Sequence, residues 1–463
     1  MSAEEQVADS PAVEIDKLGI TFGKGQSVND RHQIVVVGGG AGGLELATKL
    51  GKKYGKRKTA DVTLVDANLT HIWKPLLHEV ASGKRNAGED ELNYLAQARW
   101  NYFTFRLGRL ESVDRTKQTV TMAPIEDESG KHFIPRRTFY YDTLVIAIGS
   151  QTNSFGTPGV EDHCVFLDSR SQADKFHQRL LQSFLRTHTH EGELEEKQLN
   201  VVIVGAGATG VELAAELHHT ARELVAYGLD QIEPDRDVKI SVVEAGPRIL
   251  PAIPEKIAAG AHRQLEKLGV EIKTNVRVAE VTPDGLKTAD GDFLPATIKV
   301  WAAGIKGSDV LKNMDGLETN RINQLVVRPT LQTTLDDKIF AIGDCAACAM
   351  KDSDRNVPPR AQAAHQQASL LMKSVESILN SQPLPEYVYR DFGSLVSLSD
   401  EHAVGNLMGN LTGDVMVSGR IARYIYVSLY RMHLLALYGV VRTGVKVFSQ
   451  WITGSFKPTM KMH

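Results

Sequence analysis

The chain has 463 residues, of which 24% are charged and 42% hydrophobic, ordinary proportions for a globular protein with two or three large-cored domains. Its three cysteines, Cys164, Cys345 and Cys348, are too few for a disulfide framework and fit a reducing compartment. The net charge of −3 hides an asymmetry: no acid follows Asp414, while Arg420, Arg423, Arg431, Arg442, Lys446, Lys457 and Lys461 contribute +7, leaving −10 for everything before them.

A basic end on an acidic body suggests an anionic partner surface; nucleic acid is not expected. Residues 1–30 read as a polar tail without the basic and apolar regions of a secretory signal. No window reaches the roughly 18 uninterrupted apolar residues of a spanning helix, which argues against a proton pump built on transmembrane channels.

Ordered structure is expected from Arg31. The stretch QIVVVGGGAGGLELA (33–47) runs an apolar strand into Gly38, Gly40 and Gly43 and then a helix over about 44–54. The strand 62–66 follows and ends in Asp66. This is the fingerprint of a βαβ unit that binds a dinucleotide. The first glycine makes the turn, the second lets the backbone approach a pyrophosphate, and the third lets the helix pack on the strand. The helix N-terminus then offers N–H groups to the anion, and Asp66 is placed to accept a ribose hydroxyl.

His71-Ile-Trp-Lys74-Pro75-Leu-Leu77 reads as a loop entering a helix. Alternation over 103–122 indicates strands around a turn at 114–115, and a buried strand follows into Gly149-Ser150. The order of elements then repeats. A strand from Asn200 meets Gly205, Gly207 and Gly210, a helix covers 209–227, and a strand over 239–244 ends in Glu244. Short strands follow, and another strand enters Ala302-Ala303-Gly304. A last strand, 338–344, ends in Asp344 and is expected to return to the first sheet.

This self-similarity argues for an α/β protein of two nested Rossmann-like dinucleotide-binding domains, glutathione-reductase-like in plan. The expected divisions are a tail at 1–30, a first domain at 31–155 and 326–385, an inserted domain at 156–325, and a C-terminal domain at 386–463. Two facing dinucleotide sites fit a tightly held, non-covalent flavin adenine dinucleotide (FAD) and an exchangeable nicotinamide. Gly38, Gly40, Gly43, Asp66, Gly149 and Asp344 would serve FAD; Gly205, Gly207, Gly210, Glu244, Ala303 and Gly304 would serve NADH. A carboxylate at Glu244 would repel a 2′-phosphate, favouring NADH over NADPH, although Arg248 lies four residues on. Glu212 either faces the nicotinamide or interacts with the helix N-terminus.

Several stretches, VVVGGGAGGLELA (35–47), HIWKPLLHEVASG (71–83), VIVGAGATGVELAAEL (202–217), IFAIGDCA (339–346), PPRAQAAHQQA (358–368), YRDFGSLVSL (389–398) and GRIARYIYVSLYRMHLLALYG (419–439), resemble the bacterial, single-subunit type II NADH:quinone oxidoreductases. The resemblance runs from about residue 31 to the end. It implies NADH as substrate, reduction of a membrane quinone through FAD in the respiratory chain, and no proton pumping. It places Lys74, Pro75, Ala361 and Gln362 against the flavin and Glu212 by the nicotinamide and the quinone pocket. Glu212, Gln362 and Gln366 are thereby the expected catalytic residues; otherwise the two glutamines would read as polar residues on one helix face. Some relatives carry a Lys in the stretch where this chain has Asp391, so no role of that Lys carries over.

Cys345-x-x-Cys348 has dithiol spacing, but without further ligands a packing role is favoured and no metal is expected. No cysteine precedes Cys164, which argues against a disulfide reductase. A sulfide:quinone oxidoreductase would need sulfur-carrying cysteines and has no use for a nicotinamide fingerprint. A flavin redox sensor that binds NADH without quinone turnover is the reading from another class. Residues 420–463, apolar and basic, fit amphipathic helices lying in the bilayer interface, on the cytoplasmic face of the cell membrane, with a homodimer compatible.

Overall fold

The computed structural model describes residues 31–454 apart from 128–129, 190–198, 230, 352, 399–402 and 410–412. The expected tail at 1–30 and the cations Lys457 and Lys461 lie outside the described residues.

The strand His32–Val37 is buried on both faces from Ile34 onward, as a central parallel strand must be. It lies inside an eight-stranded sheet with the order Ala346–Cys348, Leu325–Val327, Gln332–Thr333, Asp336–Ala341, Thr143–Ile146, His32–Val37, Ala60–Asp66, Thr104–Leu107. The last five of these run parallel. The inserted unit repeats the plan with four parallel strands, Glu271–Lys273, Lys239–Val243, Asn200–Val204 and Ile298–Trp301. Two nested dinucleotide folds are thus the architecture, and the strand ending at Ala341 returns to the first sheet. Leu311, Met314 and Leu317 already pack into that first core.

The chain crosses between the units twice, and the two crossings pair. Ser150–Thr152 runs antiparallel to Ile305–Gly307, so one two-stranded ribbon carries both connections. The first fingerprint helix, Ala41–Leu50, continues into a π turn at Gly51–Gly55; the apolar pattern predicted this stretch as one helix.

After the helix Ala361–Leu379 the chain forms an antiparallel meander of Gly393–Ser397, Ala403–Gly409 and Gly413–Ser418. One long helix follows, Gly419–Gly454, interrupted at Gly439 (φ 76°, ψ 175°). Before the break, Ala422, His433, Leu434 and Leu437 are buried, and this part packs on the meander and the Ala41–Leu50 helix. Beyond it Val440 and Val441 are 78% and 80% exposed, with Val445 and Phe448 also outward. Tyr424–Gln450, 27 residues, is long and apolar enough to cross a membrane by length and composition. Arg431, Arg442 and Lys446 lie within it, which is why no uninterrupted apolar window shows in the sequence.

The Gly439 backbone lies in a region essentially reserved for glycine. Gly439→Ala should therefore cost about 1–3 kcal/mol, read as a lowered denaturant midpoint; an unchanged midpoint would refute the kink as a fixed feature.

Candidate functional site

The two glycine loops are near copies. Gly38 and Gly205 both turn with positive φ, at 106° and 102°, and each donates its N–H to the neighbouring strand, at Val65 O (2.7 Å) and Val243 O (2.8 Å). A methyl group on Gly43 would overlap the Gly38 carbonyl oxygen, and one on Gly210 would overlap that of Gly205. Gly40 and Gly207 instead face open space, leaving room for a pyrophosphate at the start of each helix. The strand-end acids are also equivalent: Asp66 accepts from Gly39 N at 2.7 Å and Glu244 from Ala206 N at 2.8 Å. Burial raises the Asp66 pKa, against the opposing Gly39 N–H.

Around the first loop the structure gathers most of the predicted flavin residues. Lys74 Nζ donates to Ser150 O at 3.0 Å, and Ser150 Oγ donates to Asp344 Oδ2 at 3.0 Å. Asp344 is raised by burial, with Ser150 and Lys74 opposing. Gly149 is left-handed (φ 71°) with open space where a side chain would project. Pro75 opens a short turn, and its carbonyl accepts from Tyr426 of the tail helix at 3.4 Å. The open loop, the buried strand-end acid and the Asp344 carboxylate fit a flavin dinucleotide.

Ala361 begins its helix directly after Arg360, and the backbone of Ala364 lies against Gly42 of the first fingerprint helix. Gln362 and Gln366 share one face, as their spacing requires, and both carboxamides grip the chain at 390–393. Gln362 donates to Gly393 O at 3.0 Å and to Asp391 Oδ1 at 3.2 Å, and accepts from Phe392 N at 3.1 Å. Gln366 donates to Arg390 O at 2.8 Å and accepts from Arg390 N at 3.0 Å. Asp391 pairs with Arg360 at 3.1 Å, so it anchors the same strap. Gln367, which carries no motif signal, accepts from Gly343 N at 2.7 Å and steadies the turn before Asp344.

Glu212 is buried where four segments meet. Its carboxylate accepts from Ser397 N at 3.0 Å, lies 3.5 Å from His78 Nδ1, and interacts with Tyr426. Burial, with help from Glu79 and Glu216, raises its pKa from 4.5 to about 8. Those two neighbours are held by Arg85 and Lys84, at 2.8 and 2.9 Å. Of the two sequence readings, contact with the helix N-terminus alone does not describe this residue: it joins the inserted domain to the meander and tail.

At the second loop, Glu244 also accepts from Gly246 N at 2.8 Å. The Arg248 guanidinium donates to the carbonyls of Ile249, Leu250 and Pro251. Ala303 closes against Gly205, and Gly304, left-handed at φ 63°, lies under the Phe155 ring.

The profile of the pyridine nucleotide-disulphide oxidoreductase family matches residues 32–368. A type II NADH:quinone oxidoreductase of Haemophilus influenzae is 45% identical over 443 residues, covering 93% of this chain and 99% of that protein. The chain belongs to the type II NADH:quinone oxidoreductases. A member from Staphylococcus aureus is 31% identical over 82% of this chain and 90% of its own length. Among solved structures, the NDH2 of Plasmodium falciparum in complex with NADH superposes with a TM-score of 0.78 at 19% identity, over 93% of this chain and all of that one. The sulfide:quinone oxidoreductase of Aquifex aeolicus shares the fold at a TM-score of 0.67 and 18% identity, over 92% of this chain and 95% of that one.

In this member of the family burial holds the thiols protonated: Cys345 and Cys164 are pushed up to about 12, and Cys348 to about 11. None has the lowered pKa of a reactive cysteine.

Glu212 makes a prediction about pH. Its folded pKa lies above its unfolded value, so the stabilisation it gives is complete below about pH 4.5 and is lost as pH rises towards 8. Relative to Glu212→Gln, the wild type should lose on the order of a few kcal/mol across this window. Parallel denaturation midpoints for the two proteins from pH 5 to about 8 would contradict the raised pKa.

Proposed function

We propose that this chain is a peripheral membrane enzyme that oxidises NADH and reduces a membrane quinone, using FAD held tightly and non-covalently in its first domain. The observation that carries this reading is the pair of matched glycine loops, each with a strand-end acid, on two domains that meet with the tail helix around Glu212.

Gly38, Gly40, Gly43, Asp66, Lys74, Pro75, Gly149, Asp344 and Ala361 would hold FAD, which supplies a two-electron carrier between two exchangeable partners. Gly205, Gly207, Gly210, Glu244, Ala303 and Gly304 would hold NADH. The Glu244 carboxylate disfavours a 2′-phosphate, and Arg248, engaged by backbone carbonyls, does not offset it. Gln362 and Gln366 fix the 390–393 strap beside the start of the Ala361–Leu379 helix, which orients the quinone-facing wall. Glu212, carrying its proton near neutral pH, can hold and deliver a proton at its carboxyl oxygen.

The apolar, basic tail at 420–463 would lie in the interface on the cytoplasmic side, where NADH arrives from solvent and quinone from lipid. A sulfide:quinone reading gains nothing from three buried, protonated cysteines.

Anaerobic addition of NADH to the purified protein should bleach the flavin band near ~450 nm, and added quinone should restore it. Bleaching that quinone does not reverse would instead indicate a sensor, and reduction by sulfide but not NADH a sulfide enzyme. Replacing both Val440 and Val441 with Glu should move the protein from sedimented vesicles to the supernatant while leaving turnover with a water-soluble quinone within about twofold, since surface changes are mild. Unaltered sedimentation would refute the membrane role of this face.

A further inference from the structure

The loop at His71 and the tail helix meet in a buried cluster of rings that the reaction as described does not use. His71 Nδ1 is 2.9 Å from the Gly39 carbonyl, so that nitrogen carries the proton and donates. Burial holds the ring neutral, with its pKa lowered to about 4, which leaves Nε2 as an acceptor. Nε2 of His433, from the tail helix, lies 3.0 Å away and must be the donor. Its own Nδ1, buried and with no hydrogen-bond partner among the described residues, is then the bare nitrogen, as this tautomer requires. The His433 ring also packs on Trp73, with centroids 4.3 Å apart, and lies 5.3 Å from that of His365. His365 in turn pairs with Glu45.

The far end of this relay is the first glycine loop. The Gly39 carbonyl accepts from His71 and, at 2.7 Å, from Tyr94 Oη, while the Gly39 N–H donates to Asp66. Both main-chain polar groups of one residue, which belong to the two successive peptides joining the turn glycine Gly38 to the open Gly40, are thereby fixed. Trp73, the other group His433 touches, directly precedes Lys74. The tail helix therefore reaches both the loop and the segment that supplies Lys74.

We propose that His433 is a positioning residue for the flavin dinucleotide: its Nε2–H fixes His71, and His71 fixes the Gly39 peptide of the first glycine loop. The tail helix is on this account part of the apparatus that retains the cofactor as well as a membrane-facing surface. The inference rests on the first loop being the FAD site.

Three variants separate the hydrogen bond from the packing. His433→Phe keeps a ring against Trp73 and removes the donor. His433→Gln restores an N–H near the Nε2 position and removes the ring. His71→Asn retains a donor to Gly39 but places no acceptor at the Nε2 position that faces His433. FAD retention is read from the flavin-to-protein absorbance ratio after dialysis and from the dissociation constant of FAD for the stripped protein.

His433→Phe and His71→Asn should each weaken FAD binding about tenfold or more, the combination should add little, and His433→Gln should stay within about threefold of wild type, in line with one buried hydrogen bond. Equal FAD retention in His433→Phe and wild type would overturn the proposal. So would full additivity of the two variants, or a loss in His433→Gln as large as in His433→Phe, since these mean packing alone. If His433→Phe does not fold, the His71→Asn and His433→Gln pair decides the same question. A wild type that binds no FAD would instead overturn the assignment of the first loop.

Discussion

The constraint on which the rest of this structure depends is a contact that only glycine permits, made twice. In each domain the third fingerprint glycine lies against the carbonyl oxygen of the first, closer than any side chain would allow. That contact sets each helix hard against its strand and aims its N-terminus at the space beside Gly40 or Gly207. Hydrogen bonds from Gly39 to Asp66 and from Ala206 to Glu244 then lock the loops to the adjacent strands. The rest of each domain keeps this geometry rigid: buried parallel strands below it, and helices that cover their faces.

Much of this was legible in the chain, because the residues that make the loops are local. Glycine spacing, apolar runs of strand length and an acid at the next strand end lie within some thirty residues of each other, as the βαβ unit demands. Repetition of the order from Asn200 onward revealed the second domain, and the strand before Asp344 revealed the return. The paired crossings at Ser150 and Ile305 left no trace, because two short polar segments far apart in sequence have no period to detect. The tail's cations broke its apolar run, so one kinked helix read as several interfacial ones.

The candidate site was legible in its parts and not in its connections. Lys74 and Asp344 are recognisable from their motifs, but Ser150, the residue that joins them, is an ordinary serine after a glycine. Gln362 and Gln366 stood out through the resemblance, their spacing alone reading as one polar helix face. What the sequence could not show is that both carboxamides hold main-chain atoms of the 390–393 strap, because such bonds specify no side chain in the partner. The raised pKa of Glu212 is likewise invisible in sequence. It arises from burial beneath a meander nearly two hundred residues downstream and from two neighbouring carboxylates, Glu79 and Glu216, each paired with its own cation, Arg85 and Lys84. His433 lies in a stretch of apolar and basic residues, and nothing in its spacing connects it to His71.

The two-stranded ribbon between the domains has a mechanical consequence. Two separate linkers would let the inserted domain swivel about several axes. Because Ser150–Thr152 and Ile305–Gly307 are hydrogen-bonded to each other, they bend together, as a strip does, easily across its flat face and poorly within its plane. Ser150 at one end of that strip is bonded to Asp344, and Gly304 at the other carries the turn beside the second glycine loop. The strip thus runs from a residue bonded to Asp344 to the turn beside the second glycine loop, so a displacement at either end passes to the other through main-chain hydrogen bonds.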